Sequence, residues 1–296
     1  MPGPTAATRA GTLYVVATPI GNLEDITLRA LKVLKAVDLV AAEDTRRSAV
    51  LLRHYDISTP VLSLHEHNER RRSASIVGRL MAGESVALVT DAGTPAISDP
   101  GAHLVSAVRA AGLRIEPIPG PSSIVAALSA AGLDSDGFVF MGFPPTRLKQ
   151  RNQWLESVSN ECSKRTVVLF ESPHRLQSTL RELNLLVKYQ ILVARELTKM
   201  HEELRWGTPG DLASHFEEPR GEFTVVIPPR PVQSAAIEAP SDDAIAAEYG
   251  HITETETSTS KRQAIRKLAD RLGLPVRAVY ASLERTKLVK RQNIDA

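Results

Sequence analysis

Residue types able to do chemistry are concentrated in three segments rich in Gly, Pro, Ser, Thr and Asp: 18–22 (TPIGN), 91–101 (DAGTPAISDPG) and 119–123 (PGPSS). Each follows a short aliphatic, β-branched run. In an open α/β sheet a ligand sits outside the carboxyl ends of the strands, where glycine lets the backbone approach closely and helix N-termini offer free N–H groups. One such loop alone would read as a connection rich in turn residues; three in series predict a shared crevice. None matches G-x-x-x-x-G-K-[ST], and no strand leads into G-x-G-x-x-G, so the phosphate cradle and the dinucleotide fingerprint are both missing. Their weakly charged, proline-rich character suits a neutral or cationic small molecule held by carbonyls, hydroxyls and amides. For proton transfer the preferred groups are Glu171 and His174, just after the run 166–170, and Glu43 and Asp44, directly after 39–42. The competing reading of Glu43, Asp44, Arg46, Glu171, Arg175, Arg195 and Glu196 is a set of ion pairs tying loops or lobes together. His65 and His67 flank Glu66 but lack a third ligand, so no metal site is expected.

The elements that must position these groups alternate along the chain. Strand-like runs fall at 13–17, 39–42, 61–64, 86–90, 115–118 and 138–141, with a second set at 166–170, 191–194 and 223–227. Between them, apolar residues recur at helical spacing, as in Leu28, Leu31 and Leu34 behind Asp25 as N-cap, then Ile76 and Leu80, then Leu104 and Val108. Strand, helix, strand in series means an α/β sheet covered by helices, with parallel pairing for much of it. The boundaries read as an N-terminal α/β lobe over 11–125 and a C-terminal one over 126–230. Pro228, Pro229 and Pro231 then break the chain, and 231–257 reads as an acidic linker: residues 234–256 hold six acidic residues and no Lys or Arg. The last 37 residues carry ten Lys or Arg against three Asp or Glu, a local balance of +7. Within this basic helical tail, 258–296, Ser260 and Gln263 fit a capping box, Ile265, Leu268, Ala269 and Leu272 make an apolar stripe, and Gly273 and Pro275 separate two helices. The pair resembles a helix-turn-helix that could bind nucleic acid, or a solvated amphipathic hairpin.

Composition bounds the rest. The 296 residues are 43% hydrophobic, enough for a core in each of two lobes, and 36 basic against 34 acidic side chains leave a net charge of +2 that names no partner. One cysteine, Cys162, excludes an internal disulfide and points to a reducing compartment. Residues 1–10 lack a secretory apolar core, and no run approaches the roughly 20 apolar residues that cross a bilayer, so the expected address is cytoplasmic, away from any membrane.

The loop residues carry a resemblance that spacing does not supply. The stretches GTLYVVATPIGNLEDIT (11–27), AAEDTR (41–46), LVTDAGTPAISDPG (88–101), PIPGPSS (117–123), GFPP (142–145), LFESPHR (169–175), ARELTK (194–199) and GEFTVVI (221–227) are similar, in order, to the tetrapyrrole methylase superfamily of S-adenosylmethionine enzymes. HEH, ESPHR and ARELTK resemble its ribosomal RNA branch. That resemblance implies two α/β lobes of the tetrapyrrole methylase type with S-adenosyl-L-methionine in the cleft between them, plus a small C-terminal helical domain, usually as a homodimer. It implies 2'-O-methylation of a cytidine ribose in the decoding region of 16S ribosomal RNA; the alternatives are a tetrapyrrole methyltransferase of the same superfamily and a non-catalytic nucleic-acid-binding regulator. Carried onto this sequence, cofactor contacts fall at Pro19, Asp91, Ala92, Gly93, Ile97, Ser122, Ser123, Phe170, Ala194, Glu222 and Phe223; for proton transfer, the places of Glu171, His174 and Asp44 just after strands make them the candidates. RNA phosphates would meet Arg46, Arg47, Arg147, Lys261, Arg262, Arg266 and Lys267, whereas Arg70, Arg71 and Arg72 read as a solvated helix face.

Overall fold

Residues 10–133, 137–231, 241–255, 260–272 and 274–292 are described by the computed structural model, and the chain divides into two units, Met1–Arg230 and Pro231–Ala296. In the first unit, β1 (Thr12–Val16), β2 (Leu39–Ala42), β3 (Val61–Ser63), β4 (Val86–Val89) and β5 (Arg114–Ile118) form a wholly parallel sheet in the order β3-β2-β4-β1-β5. Alternate residues of one strand supply two cores. Val40 and Ala42 face α1 (Leu28–Ala36) and α2 (Thr45–His54), while Leu39 and Ala41 face α3 (Glu69–Met81) and α4 (Ala102–Ala110). Burial on both faces is why β2 and β4 read as unbroken apolar runs. The N-cap of α1 is Thr27, whose hydroxyl accepts from the Ala30 N–H at 3.1 Å; Asp25, expected in that role, lies in a short 3-10 turn before it.

A second sheet follows, built from β6 (Phe138–Phe140), β7 (Thr166–Glu171), β8 (Ile191–Arg195), β9 (Glu203–Gly207) and β10 (Phe223–Ile227), in the order β6-β7-β10-β8-β9. Only β6 and β7 pair in parallel; β10 enters between β7 and β8 running the other way, and β9 is also antiparallel. The starting end of β10 therefore lies beside the finishing ends of β7 and β8, with Phe223 opposite both Glu171 and Arg195. Around this sheet stand α5 (Ser123–Ala130), α6 (Leu148–Glu161), α7 (Pro173–Leu186) and α8 (Pro209–His215). The lobe boundary expected at 125/126 falls inside α5. That helix carries no charge, and its Ile124 and Ala127 pack with Val168, Leu192, Ala194 and Val226, so it belongs to the second lobe's core.

The second unit corrects the expected acidic linker. Residues 232–240 and 256–259 lie outside the described residues, but α9 (Asp242–Thr255) is a full helix. It joins α10 (Lys261–Leu272) and α11 (Val276–Gln292) in a three-helix bundle whose seam holds Ile245, Ile252, Ala264, Leu268, Val279 and Leu283. The capping box forms at the start of α10, with the Ser260 N–H donating to Gln263 Oε1 at 3.1 Å and the Gln263 N–H to Ser260 Oγ at 3.4 Å. Arg285 of α11 grips Asp242 of α9 with two parallel bonds of 2.7 and 2.8 Å. Gly273, expected to end the first helix of the tail, lies outside the described residues. No helix among the described residues is long and apolar enough to cross a membrane.

Candidate functional site

The three loops converge at the carboxyl ends of the parallel strands. Beyond β1, Thr18 exchanges both backbone bonds with Gly93, at 2.9 and 3.0 Å, and its hydroxyl donates to the Thr90 carbonyl at 3.0 Å. Gly93 has φ +85°, a conformation costly for any residue with a Cβ, so this cross-link depends on glycine. The third loop lies against the first: a Cβ on Gly120 would stand 3.1 Å from Ala17 Cβ. At its far end the 91–101 loop is anchored from α3, where Glu69 Oε1 accepts from the backbone N–H groups of Gly101, His103 and Leu104 at 3.0, 2.9 and 3.1 Å. Gly101 has no side chain with which to cap α4, and a carboxylate at that helix start supplies the missing acceptor.

The second lobe closes the opposite wall with segments built on one another. Glu196 Oε1 accepts from the Glu222 N–H at 2.9 Å and from Lys199 Nζ at 2.8 Å, while Lys199 also reaches Glu222 Oε2 at 3.0 Å. Gly221, at φ +95°, lies so close that a Cβ there would collide with the Glu196 side chain. The same segment meets the first lobe, where the Asn22 N–H donates to Thr198 Oγ1 at 3.0 Å and Lys199 packs on Gly21. Four non-glycine residues with positive φ flank the cleft, Ala96 and Ser98 on one side and Glu196 and Thr198 on the other, a clustering typical of sites where backbone strain serves function.

Between these walls is a cavity of about 370 Å³. Ile20, Ile97, Phe143, Phe170 and Leu197 give it an apolar side, and the ring of Phe170 lies 5.5 Å from that of Phe143. Its charged lining is mostly acidic: Glu43, Asp91, Asp99, Glu171 and Glu222 against Arg47. Glu43 accepts from the Thr90 hydroxyl at 2.7 Å; Asp91 accepts from the Asp44 N–H at 3.1 Å and meets Arg47 at 3.4 Å. Burial pushes the Asp91 carboxyl above its ordinary range. Burial, together with Glu43, Asp91 and Glu222, raises Asp99 further, to about 6.

The family described as Tetrapyrrole (Corrin/Porphyrin) Methylases matches residues 12–213. This chain belongs to that family. It is 44% identical to ribosomal RNA small subunit methyltransferase I of Synechocystis over 278 residues, 91% of this chain and 96% of that protein. The protein of the same name from Thermotoga maritima is 47% identical over 220 residues, which are 73% of this chain but 98% of that one. Uroporphyrin-III-C-methyltransferase from Thermus thermophilus shares the fold, with a TM-score of 0.54 at 23% identity over 73% of this chain and 94% of that one.

Of the positions carried over for the methylase cofactor, Asp91, Ala92, Gly93, Ile97, Ser122, Ser123, Phe170, Ala194, Glu222 and Phe223 all line the cavity, and Pro19 does not; its neighbour Ile20 does. The proton-transfer residues fare differently. Glu171 touches the cavity, yet its side chain is fully buried and its carboxylate is spent on Arg175 at 2.9 Å, the Thr179 hydroxyl at 2.5 Å and the Ser172 N–H at 2.8 Å. Asp44 caps α2, is held at about 2 by Arg46, and lies outside the lining. His174 is exposed on α7 and also lies outside it. Ion pairs engage Asp44 with Arg46 and Glu171 with Arg175, but both are local; of the residues expected to tie segments together, Glu196 does so through Lys199 and Glu222, and Arg195 meets Glu203 at 3.8 Å. Sequence reading missed Asp99, although the 91–101 loop was singled out whole, because burial and neighbouring charge are properties of the folded cleft. Arg47 lines the cavity, Arg46 pairs with Asp44, and Arg147, Lys261, Arg262, Arg266 and Lys267 are exposed. Among the described residues no group of three His, Cys, Asp or Glu could hold a metal ion.

Proposed function

We propose that the protein transfers a methyl group from S-adenosyl-L-methionine to the 2'-hydroxyl of a cytidine in the decoding region of 16S ribosomal RNA, with the cofactor in the interlobe cavity. The observation that carries this reading is a cleft with surplus carboxylate on one side and apolar side chains on the other, in a chain whose relatives are named for methylating small-subunit RNA. A sulfonium is a fixed cation, which a partly desolvated acidic lining favours far more than bulk water would suggest. Asp91 and Glu222 would hold the charged end, while Phe143, Phe170 and Leu197 would take the flat and apolar portions. When bound, the cofactor supplies an electrophilic methyl carbon.

Most of what the chain must contribute is placement. Holding a ribose oxygen in line with that carbon, with water excluded, is worth roughly 7–11 kcal/mol of the barrier. The interlocked loops suit this demand, since Thr18, Gly93, Gly120 and the Glu69 anchor fix one wall and the Glu196–Lys199–Glu222 cluster fixes the other. RNA affinity would come from exposed Arg147 and from Lys261, Arg262, Arg266 and Lys267 on α10, meeting phosphates with a marked salt dependence. The reading extends to a cytoplasmic homodimer, which light scattering tests as a mass twice 32.2 kDa.

The test is to offer the full chain, with methyl-labelled S-adenosylmethionine, small ribosomal subunits and their free RNA from a strain lacking the gene. The expected result is label at a single cytidine whose phosphodiester resists alkaline cleavage, the signature of a blocked 2'-oxygen. Label on a base, or only on an added tetrapyrrole, would overturn the reading.

A further inference from the structure

The cavity's carboxylates are not equivalent, and the difference singles out one of them. Glu43 is engaged by the Thr90 hydroxyl and, at 3.4 Å, by the Asp91 N–H; Asp91 has Arg47 and the Asp44 N–H; Glu222 has Lys199; Glu171 is enclosed by Arg175, Thr179 and Ser172. Asp99 also faces Thr90, but a hydroxyl has one proton to give and Glu43 takes it at 2.7 Å. The charged groups that bear on Asp99 are Glu43, Asp91 and Glu222, every one a carboxylate, with Arg47 reaching that cluster through Asp91. The loop holding it is rigidly set: Ala96 and Ser98 have φ of +68° and +64°, the Ala96 N–H closes on the Pro100 carbonyl at 3.3 Å, and Gly101 is pinned by Glu69.

We infer that Asp99 is the proton acceptor of methyl transfer, the group that takes the proton from the attacking ribose hydroxyl in the cavity. This rests on the function proposed above. As the 2'-oxygen lone pair bonds to the methyl carbon, the carbon–sulfur bond breaks and its electron pair stays on sulfur, leaving a neutral thioether. The hydroxyl proton passes to an Asp99 carboxylate oxygen and from there to solvent once product leaves. Its partial burial in the cavity wall, with repulsion from Glu43, Asp91 and Glu222 added, makes Asp99 a better base than an ordinary carboxylate while leaving it mostly ionised at neutral pH, and this poise near working pH is what general-base catalysis requires.

Asp99→Asn and Asp99→Glu test the assignment in the full chain. Single-turnover transfer to small-subunit RNA at saturating cofactor should fall roughly 10²- to 10⁴-fold in Asp99→Asn and recover in part in Asp99→Glu, with calorimetric cofactor affinity falling far less than the rate. Only the ionised form accepts a proton, so the wild-type rate should drop as pH falls through about 6, and the Asp99→Asn rate should be flat there. Carbon-13 NMR of the cofactor-free protein should show a carboxyl titrating near that pH and missing from Asp99→Asn. Wild-type rate and pH profile in Asp99→Asn, or a loss confined to cofactor binding, would overturn the assignment alone. A wild-type enzyme that puts its methyl group elsewhere than on a ribose hydroxyl would overturn the substrate reading, and this assignment with it.

Discussion

The two-lobed body and the C-terminal bundle solve opposite problems with opposite means. In the body, the cavity is lined where the backbone is least regular: by glycines at positive φ and carboxylates crowded against one another, on loops held by side chains that cap the helices of other segments. The bundle is regular throughout its described residues, with an aliphatic seam inside and Lys261, Arg262 and Arg266 exposed. Chemistry demands atoms fixed in unusual places, whereas attraction to a polyanion demands only charge on a stable surface.

Two variants sharpen the contrast. The larger effect is expected for Glu171→Gln in the body. Its carboxylate is fully buried between Arg175 and Thr179, and Arg151 continues the network through Thr179 at 2.7 Å and Glu182 at 2.7 Å. Removing that charge weakens the bonds from Arg175, Thr179 and Ser172, and because Arg175 is partly exposed and keeps the Pro144 carbonyl, the cost should be about 1.5–3 kcal/mol of stability, read by chemical denaturation. Were stability unchanged and only the transfer rate lowered, Glu171 would return to the mechanism as first expected. The smaller effect is expected for a combined reversal of Lys261, Arg262 and Arg266 to Glu in the bundle. RNA affinity should weaken roughly tenfold and its logarithmic dependence on salt should flatten by about 0.7 per lost contact, with cofactor affinity untouched. Identical salt titrations for variant and wild type would make the bundle's charge a matter of solubility alone.

What could be read from the sequence follows the same line. The parallel sheet was legible because its strands are buried on both faces, so that residues 39–42 and 86–89 are unbroken apolar runs. The convergence of the loops was legible from their turn chemistry and their places after strands. By contrast, β9 is hard to read because only two apolar residues, Leu204 and Trp206, alternate among charged ones in a five-residue edge strand, and both are exposed. Helix α9 was obscured by its six-acid neighbourhood, although Ile245, Tyr249 and Ile252 recur at helical spacing and two of them are buried in the bundle seam. For the proton-transfer candidates the sequence is silent on one physical point: adjacency to a strand end does not tell how far a carboxylate is engaged by its neighbours, as Glu171 is by Arg175 and Thr179 and Asp44 by Arg46.

The central claim is that the acid-lined cleft between the lobes grips the sulfonium donor, and calorimetric titration of S-adenosylmethionine into the full chain and its Asp91→Arg variant tests it most directly. The charge swap places a long cation among Glu43, Asp99 and the Gly93 turn, so affinity should fall at least about 100-fold, roughly 2.7 kcal/mol, while the thermal unfolding of both proteins stays alike. Equal affinity in the two proteins, with the variant folded, would put the donor somewhere else.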